Sequence, residues 1–282
     1  MTRTIAVITP AYQAETLLPQ AVRSVLAQTN PDWEHWIISD DLVDYEALLG
    51  REGLLDPRQR FRSSGKLGGG STRARNLLFD EIATPYAAIL DADDRLKPRK
   101  LELALAALAD HAIVSVALDV MDDQYRHRRF VGDGPDKVLR TRDYKFTSLS
   151  MDSMIVWDRR KADGRYDTEL RNMTDLDLLL QLWRTAPGTF HLGTPLHDYV
   201  KIKTSMSNST GVTARMIAAK NTLVERLKAG FYPLADPEGV EGLLRFLTIS
   251  LEAEAAYDAY LEAHPDGLFE DNLEPRLAPK LQ

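Results

Sequence analysis

Tyr86-Ala87-Ala88-Ile89-Leu90-Asp91-Ala92-Asp93-Asp94 decides how the rest of the chain is read. A five-residue apolar run bounded by polar turn residues predicts a buried strand. The three carboxylates in the next four positions then stand where that strand leaves the core of a sheet. Carboxylates this close resist ionising together unless a cation or hydrogen-bond donors compensate them. Oxygen-rich groups of this kind suit hard divalent ions such as Mg²⁺ or Mn²⁺, often held by one or two carboxylates while substrate phosphates complete the shell. Aspartate is also a common turn and cap residue, and a helix can begin near Lys97-Pro98, so a turn and a metal site both fit the stretch taken alone.

The flanking sequence separates the two. Upstream, Ile5-Ala6-Val7-Ile8 and Trp36-Ile37-Ile38 are continuous apolar runs suited to strands covered on both faces, and Arg60-Phe61-Arg62 reads as a shorter third strand. Leu17, Leu18, Ala21, Val22, Val25 and Leu26 recur at helical spacing, with Pro19 tolerated in the first turn. Tyr45 to Leu49 predicts a further helix. Gly68-Gly69-Gly70 reads as a flexible loop, with Ser71 as N-cap of a helix carrying Arg73, Arg75 and Asn76. An amphipathic helix is expected from about Pro98 to Asp110. Strands alternating with helices predict an α/β fold with a parallel, doubly wound sheet, in which ligands bind beyond the carboxyl ends of the strands. The Pro10-Ala11-Tyr12 turn, Asp40-Asp41 and the cluster at Asp91 all fall at those ends.

Further on, Ile113 to Leu118, Arg126 to Val131 and Asp152 to Trp157 read as strands, the basic run Arg126-His127-Arg128-Arg129 being a charged, solvated edge. Leu176, Leu178, Leu179, Leu180, Leu182 and Trp183 predict a strongly buried helix walling the crevice. From about Gly211 the pattern turns helical, through Met216 to Leu227 and Leu243 to Leu261. The tail from His264 to Gln282, with four Pro or Gly residues, reads as an irregular strap or a mobile end. The net charge of −7 excludes a nonspecific nucleic-acid binder, which needs clustered Lys and Arg. The absence of cysteine excludes disulfides, thiolate zinc sites and cysteine nucleophiles, and fits a reducing compartment. No signal-peptide pattern and no membrane-length apolar stretch is present, so a soluble, cytoplasmic protein is expected.

Read in order, Ala6-Val7-Ile8-Thr9-Pro10-Ala11-Tyr12-Gln13, Ser24-Val25-Leu26-Ala27-Gln28-Thr29 with Asp32-Trp33-Glu34, Ile38-Ser39-Asp40-Asp41, Ala74-Arg75-Asn76 and Leu90-Asp91-Ala92-Asp93-Asp94 closely resemble family 2 of the GT-A fold glycosyltransferases. The resemblance is strongest over the first hundred residues and fades towards Ser207. It implies a Rossmann-like GT-A catalytic domain over residues 1–207, with a nucleotide-binding half (1–110) and an acceptor-binding half (111–207), followed by a helical extension (208–282). It further implies that Thr9, Pro10 and Tyr12 lie against the nucleotide base and that Asp41 bonds the uracil or other base. Arg75 would approach the nucleotide, Asp91 would stand near the ribose, and Asp93 would hold the Mn²⁺ or Mg²⁺ that bridges the diphosphate. Such a cation stabilises a departing diphosphate without proton transfer. The family base usually sits in a Glu-Asp pair. Here Thr174-Asp175 takes that place, making Asp175 the expected base of an inverting transfer, for which one carboxylate suffices. Asp177 points elsewhere on a helix, and Thr174 to Asp177 has the spacing of a capping box with Asp in place of Glu.

The chain departs from the family pattern in two further places. Leu42-Val43 replaces the usual Gly-Ser after Asp41, implying a reshaped loop. Where many relatives carry a histidine ahead of a Ser-Met-Ser-like segment, this chain has Lys201-Ile202-Lys203-Thr204-Ser205-Met206-Ser207, so Lys203 is a candidate diphosphate contact with His197 as the alternative. The expected partners are a nucleotide-sugar donor, UDP-sugars favoured, and a saccharide or small-molecule acceptor. Two other readings stand beside this one: a catalytically silent relative or partner subunit, prompted by Thr174, and a nucleotidyltransferase, disfavoured because Thr9-Pro10-Ala11-Tyr12 is no Gly-rich phosphate loop. The C-terminal helices could cover the acceptor cleft, form a homodimer or touch a membrane. Arg215, Lys220, Arg226 and Lys228 read first as a solvated face.

Overall fold

A computed structural model describes residues 3–147, 154–201, 212–265 and 267–277. In chain order the elements are β1 (Ile5–Ala11), α1 (Leu18–Leu26), β2 (Trp33–Ser39), α2 (Tyr45–Arg51), β3 (Gln59–Ser63), α3 (Ser71–Glu81), β4 (Tyr86–Ile89), β5 (Arg95–Leu96) and α4 (Lys100–Ala107). There follow β6 (Ile113–Met121), β7 (His127–Val131), β8 (Lys137–Arg140), α5 (Thr141–Thr147), β9 (Ile155–Asp158), α6 (Thr174–Leu182) and β10 (Gly188–Val200). The chain closes with α7 (Val212–Lys228), α8 (Gly239–Ala255), α9 (Tyr257–Ala263) and α10 (Phe269–Leu277).

The strands form one sheet in the order β3-β2-β1-β4-β9-β6-β10-β5, with β7 on β6 and β8 on β10. The first four strands are parallel, as their alternation with helices predicts. The sheet is nevertheless mixed, because β9 lies antiparallel between β4 and β6. An apolar run marks a buried strand without stating its direction.

The central strands are buried on both faces, and their side chains alternate between two cores, as the two-residue period demands. Ile5 and Val7 of β1 pack with Val25 of α1 and Leu101 and Leu105 of α4 on one face. Ala6 and Ile8 pack on the other face with Leu78 of α3, Leu178 and Leu182 of α6, and Leu223, Leu243, Leu247 and Leu273 of the C-terminal helices. Each such aliphatic side chain contributes about 1.5–3 kcal/mol when fully buried. The helices from Val212 onward therefore share a core with the sheet.

Three expectations are corrected. The tail forms helix α10 instead of a loose strap, because Leu273 and Leu277, one turn apart, both reach the core despite Pro275. Ser71 is the first residue of α3; Gly70, at φ 98°, takes the cap position, a conformation open to glycine at little cost. Lys220 is no part of a solvated face: it is buried and its Nζ lies 2.6 Å from Glu254 Oε1. Strand β10 was not foreseen, since Gly193 and Pro195 break its pattern; the structure absorbs them as register shifts against β6. Among the described residues no helix is long and apolar enough to cross a membrane.

Candidate functional site

Strands β2, β1 and β4 are neighbours and parallel, with Ala11 opposite Ser39 and Ile8 opposite Ile89. Their carboxyl ends therefore bring Thr9–Gln13, Asp40–Leu42 and Asp91–Asp94 to one edge of the sheet. Asp41 accepts four hydrogen bonds there: Oδ2 from the Gln13 amide (2.5 Å) and the Tyr45 hydroxyl (2.8 Å), and Oδ1 from the Ser39 hydroxyl (3.0 Å) and the Val43 amide (3.2 Å). Partial burial works to raise this carboxyl, but those donors outweigh it and hold the group below the usual carboxylate range. Asp41 thus ties the turn after β1 to the loop after β2.

The side chain of Thr9 does not reach the edge. It is fully buried and lies 2.9 Å from Nε2 of His35, whose ring burial keeps neutral with a pKa lowered to about 3. Alternation along β1 puts Thr9 on the same face as Ile5 and Val7, so only its backbone remains available at the turn. Pro10 is half-buried and Tyr12 half-exposed. A Cβ at Gly68 would lie 3.6 Å from the Tyr12 ring, which places that ring against the glycine loop. Asp40, which the sequence reading left without a role, anchors the loop. Its carboxylate accepts from the Gly70 amide (2.8 Å) and the Ser64 hydroxyl (2.7 Å), and its carbonyl from the Gly68 amide (2.7 Å). The signal was present as an aspartate at the end of β2 and, after α2 and β3, a run of three glycines.

Leu42 occupies the left-handed region at φ 67° and its side chain is largely exposed. A glycine would adopt this backbone without the Cβ clash. Leu42→Gly is therefore expected to stabilise the fold by about 1 kcal/mol, read as a higher midpoint in urea unfolding with an unchanged slope.

On the other side of β1, the buried guanidinium of Arg75 pairs with the Asp91 carboxylate. Arg75 lies over the Tyr166 ring at 5.2 Å, and that ring stacks on Phe79. The next residue, Asn76, donates to the Tyr166 carbonyl (2.8 Å) and accepts from its amide (3.0 Å). Helix α3 thereby fixes the loop that leads into α6. Asp93 is half-buried, and burial followed by the nearby Asp91 charge raises its pKa to about 6.

Asp94 does more than lead into the next helix. It is buried, its Oδ1 accepts from the Val200 amide (2.9 Å), and its Oδ2 lies 2.9 Å from His197 Nε2. The other ring nitrogen of His197 lies 3.0 Å from Lys100 Nζ. Burial raises the Asp94 carboxyl well above its usual range and lowers the His197 ring well below its own. With both nitrogens engaged inside the core, His197 has none left for a diphosphate, and that expectation is withdrawn. Lys203 lies outside the described residues.

Asp175 stands half-buried in the first turn of α6. The helix starts from Met173 in the left-handed region (φ 58°) with no side-chain cap, so the expected capping box does not form. Asp177 is instead wholly buried, accepting from the Tyr232 hydroxyl at Oδ1 (2.7 Å) and from the Asp167 amide at Oδ2 (2.9 Å).

Among the described residues no three His, Cys, Asp or Glu side chains converge as a metal-holding group. The donor on offer is the Asp93 carboxylate, beside an Asp91 that is engaged by Arg75, and a single carboxylate fits Mg²⁺ or Mn²⁺ completed by substrate phosphates. Asp93 must be ionised to act as a ligand, so Mn²⁺ affinity is expected to rise about tenfold between pH 5 and pH 7. Titrations with Mn²⁺ and UDP at those two pH values would measure it; equal affinities would remove Asp93 from the donor set.

The sequence profile described as Glycosyl transferase family 2 matches residues 6–159. The chain is similar to the Bacillus subtilis glycosyltransferase TuaG, named for teichuronic acid biosynthesis, at 25% identity over 232 residues, covering 79% of this chain and 89% of TuaG. Among solved structures it resembles S. aureus TarS 1-349 in complex with UDP-GlcNAc, with a TM-score of 0.68 and 12% identity over 97% of this chain and 79% of that one. It spans 43% of a longer TarS chain. It also resembles a mannosyltransferase from Pyrobaculum calidifontis solved with GDP-Man and Mn²⁺, with a TM-score of 0.59 and 17% identity over 99% of this chain and 80% of that one. The α/β architecture is the GT-A fold.

Proposed function

The chain belongs to glycosyl transferase family 2 and is a glycosyltransferase, and from that premise we propose that it moves a sugar from a nucleoside diphosphate sugar, UDP-sugars first, to an acceptor hydroxyl with inversion. The observation that carries this reading is the burial of Asp93 beside Asp91 at the end of β4, across β1 from the Asp41 turn. A carboxylate that burial and a like charge both disfavour is one that a cation would relieve. Asp93 would hold Mn²⁺ or Mg²⁺, which would supply positive charge for the departing diphosphate. The Mn²⁺ named for the Pyrobaculum mannosyltransferase and the UDP-GlcNAc named for TarS support the cation and the donor class.

The chain's own residues divide the remaining work. The turn closed by Asp41, with Pro10 and Tyr12, receives the base; Asp91, held by Arg75, faces the ribose. Asp175 takes the proton from the acceptor hydroxyl as its oxygen bonds the anomeric carbon and the bond to the diphosphate oxygen breaks on the opposite face. The acceptor is a saccharide, a reading supported by the polysaccharide pathway for which TuaG is named. Calorimetric titration of UDP and GDP with Mn²⁺ tests the donor class. UDP is expected to bind at least about tenfold more tightly, a difference of about 1.4 kcal/mol; binding of neither would contradict the reading.

A further inference from the structure

The buried Asp177 lies two residues beyond Asp175, and its contacts tie the C-terminal helices to the candidate base. The hydroxyl that Asp177 accepts from belongs to Tyr232, itself buried, in the connection between α7 and α8. That hydroxyl in turn accepts from Arg226 of α7 at 3.3 Å, and the same guanidinium pairs with Asp167 at 2.5 Å. Asp167 donates its amide to Asp177 and follows Tyr166, the residue that Asn76 clasps and over whose ring Arg75 lies. One chain of contacts therefore runs from Asp91 through Arg75 and Tyr166 to Asp167, Asp177 and Tyr232. It brackets both ends of the loop from Tyr166 to Met173, where α6 begins on a left-handed non-glycine residue and without a side-chain cap. Backbone held this way persists only when its surroundings over-determine it.

We propose that Tyr232 and Arg226 are positioning residues for sugar transfer: by fastening Asp177 and Asp167 they fix the first turn of α6, and with it Asp175, relative to the Arg75 side of the site. The inference rests on Asp175 being the base. It gives the C-terminal helices, which lie beyond the residues the family profile matches, a part in the reaction geometry. Tyr232→Phe removes one hydroxyl and leaves the ring; Arg226→Gln removes the ion pair at a partly exposed position and serves if the first variant folds poorly.

The test uses the full chain with Mn²⁺ and a panel of UDP- and GDP-sugars, measuring nucleotide release, alongside Asp175→Asn. The expected result is a kcat about tenfold lower in either variant, since small misplacements of a reacting group cost this much or more, with donor KM and UDP affinity within about twofold of native. Added to Asp175→Asn, either substitution should lower the residual rate no further. Amide exchange gives a readout free of turnover: the Asp177 N–H, bonded to the Met173 carbonyl at 3.0 Å, should exchange faster in both variants while β1 is unchanged. A folded Tyr232→Phe protein with native kcat and native exchange at Asp177 would overturn the proposal, as would an equal loss in the Asp175→Asn background. Native turnover by Asp175→Asn would sink the base assignment itself, a distinct outcome.

Discussion

Asp175→Asn is expected to lower sugar transfer by about 10³-fold while UDP affinity stays within about twofold of native. The amide matches the carboxylate in size but cannot accept the proton of an attacking hydroxyl, so the loss should fall on kcat and leave donor KM nearly unmoved. The substitution also removes a negative charge that favours the ammonium forms of Lys145 and Lys220, both of which burial disfavours first. A lower melting temperature should accompany the loss of rate, and the assay belongs well below it. Stopped assays of nucleotide release and calorimetry with UDP and Mn²⁺ separate the two effects. A variant that keeps native turnover would move the base elsewhere.

The second large effect concerns Asp93. Asp93→Asn should lower turnover by about 10²-fold or more and remove the dependence of UDP affinity on Mn²⁺, because a neutral amide is a poor ligand for a hard cation. Its effect on stability has the opposite sign. Burial and the neighbouring Asp91 charge push the Asp93 carboxyl up to about 6 from its ordinary 3.8, so the folded protein holds this proton more tightly than the unfolded chain. Its ionised form therefore subtracts stability, by an amount that grows as pH rises from about 4 to about 6 and then levels off. At neutral pH, Asp93→Asn should raise unfolding stability by roughly 1 to 3 kcal/mol, the upper figure being the whole shift at 1.36 kcal/mol per pH unit. Calorimetric melting at pH 7 and pH 4 checks this: the gain should be present at the first and shrink at the second. A protein that gains stability by losing its metal ligand is the pattern expected of a group kept for function.

The placement of Asp91, Asp93 and Asp94 just beyond a buried strand was legible because a strand-length apolar run followed by polar turn residues marks where a strand leaves the core. Asp41 was legible in place, though its saturation by Gln13, Tyr45, Ser39 and Val43 was not, since two of those donors are backbone amides that any sequence carries. The side chains of Thr9 and His197 share a feature that the sequence does not display. Chain order puts both near the crevice, but only the pleat decides which face a side chain takes, and each faces inward to a buried partner. Asp177 looked like a cap because spacing along a helix is visible and a tyrosine 55 positions away is not. The antiparallel insertion of β9 and the length of β10 depend on long-range pairing, which local pattern does not encode.

The central claim is that the edge formed by β2, β1 and β4 turns over a nucleotide sugar. Nucleotide release from a panel of UDP- and GDP-sugars with Mn²⁺, run on the native protein and on Asp175→Asn, tests it most directly. The account predicts that the native protein releases nucleotide from at least one donor and that Asp175→Asn binds the same nucleotide but releases almost none. Tight nucleotide binding with no turnover by either protein would contradict it.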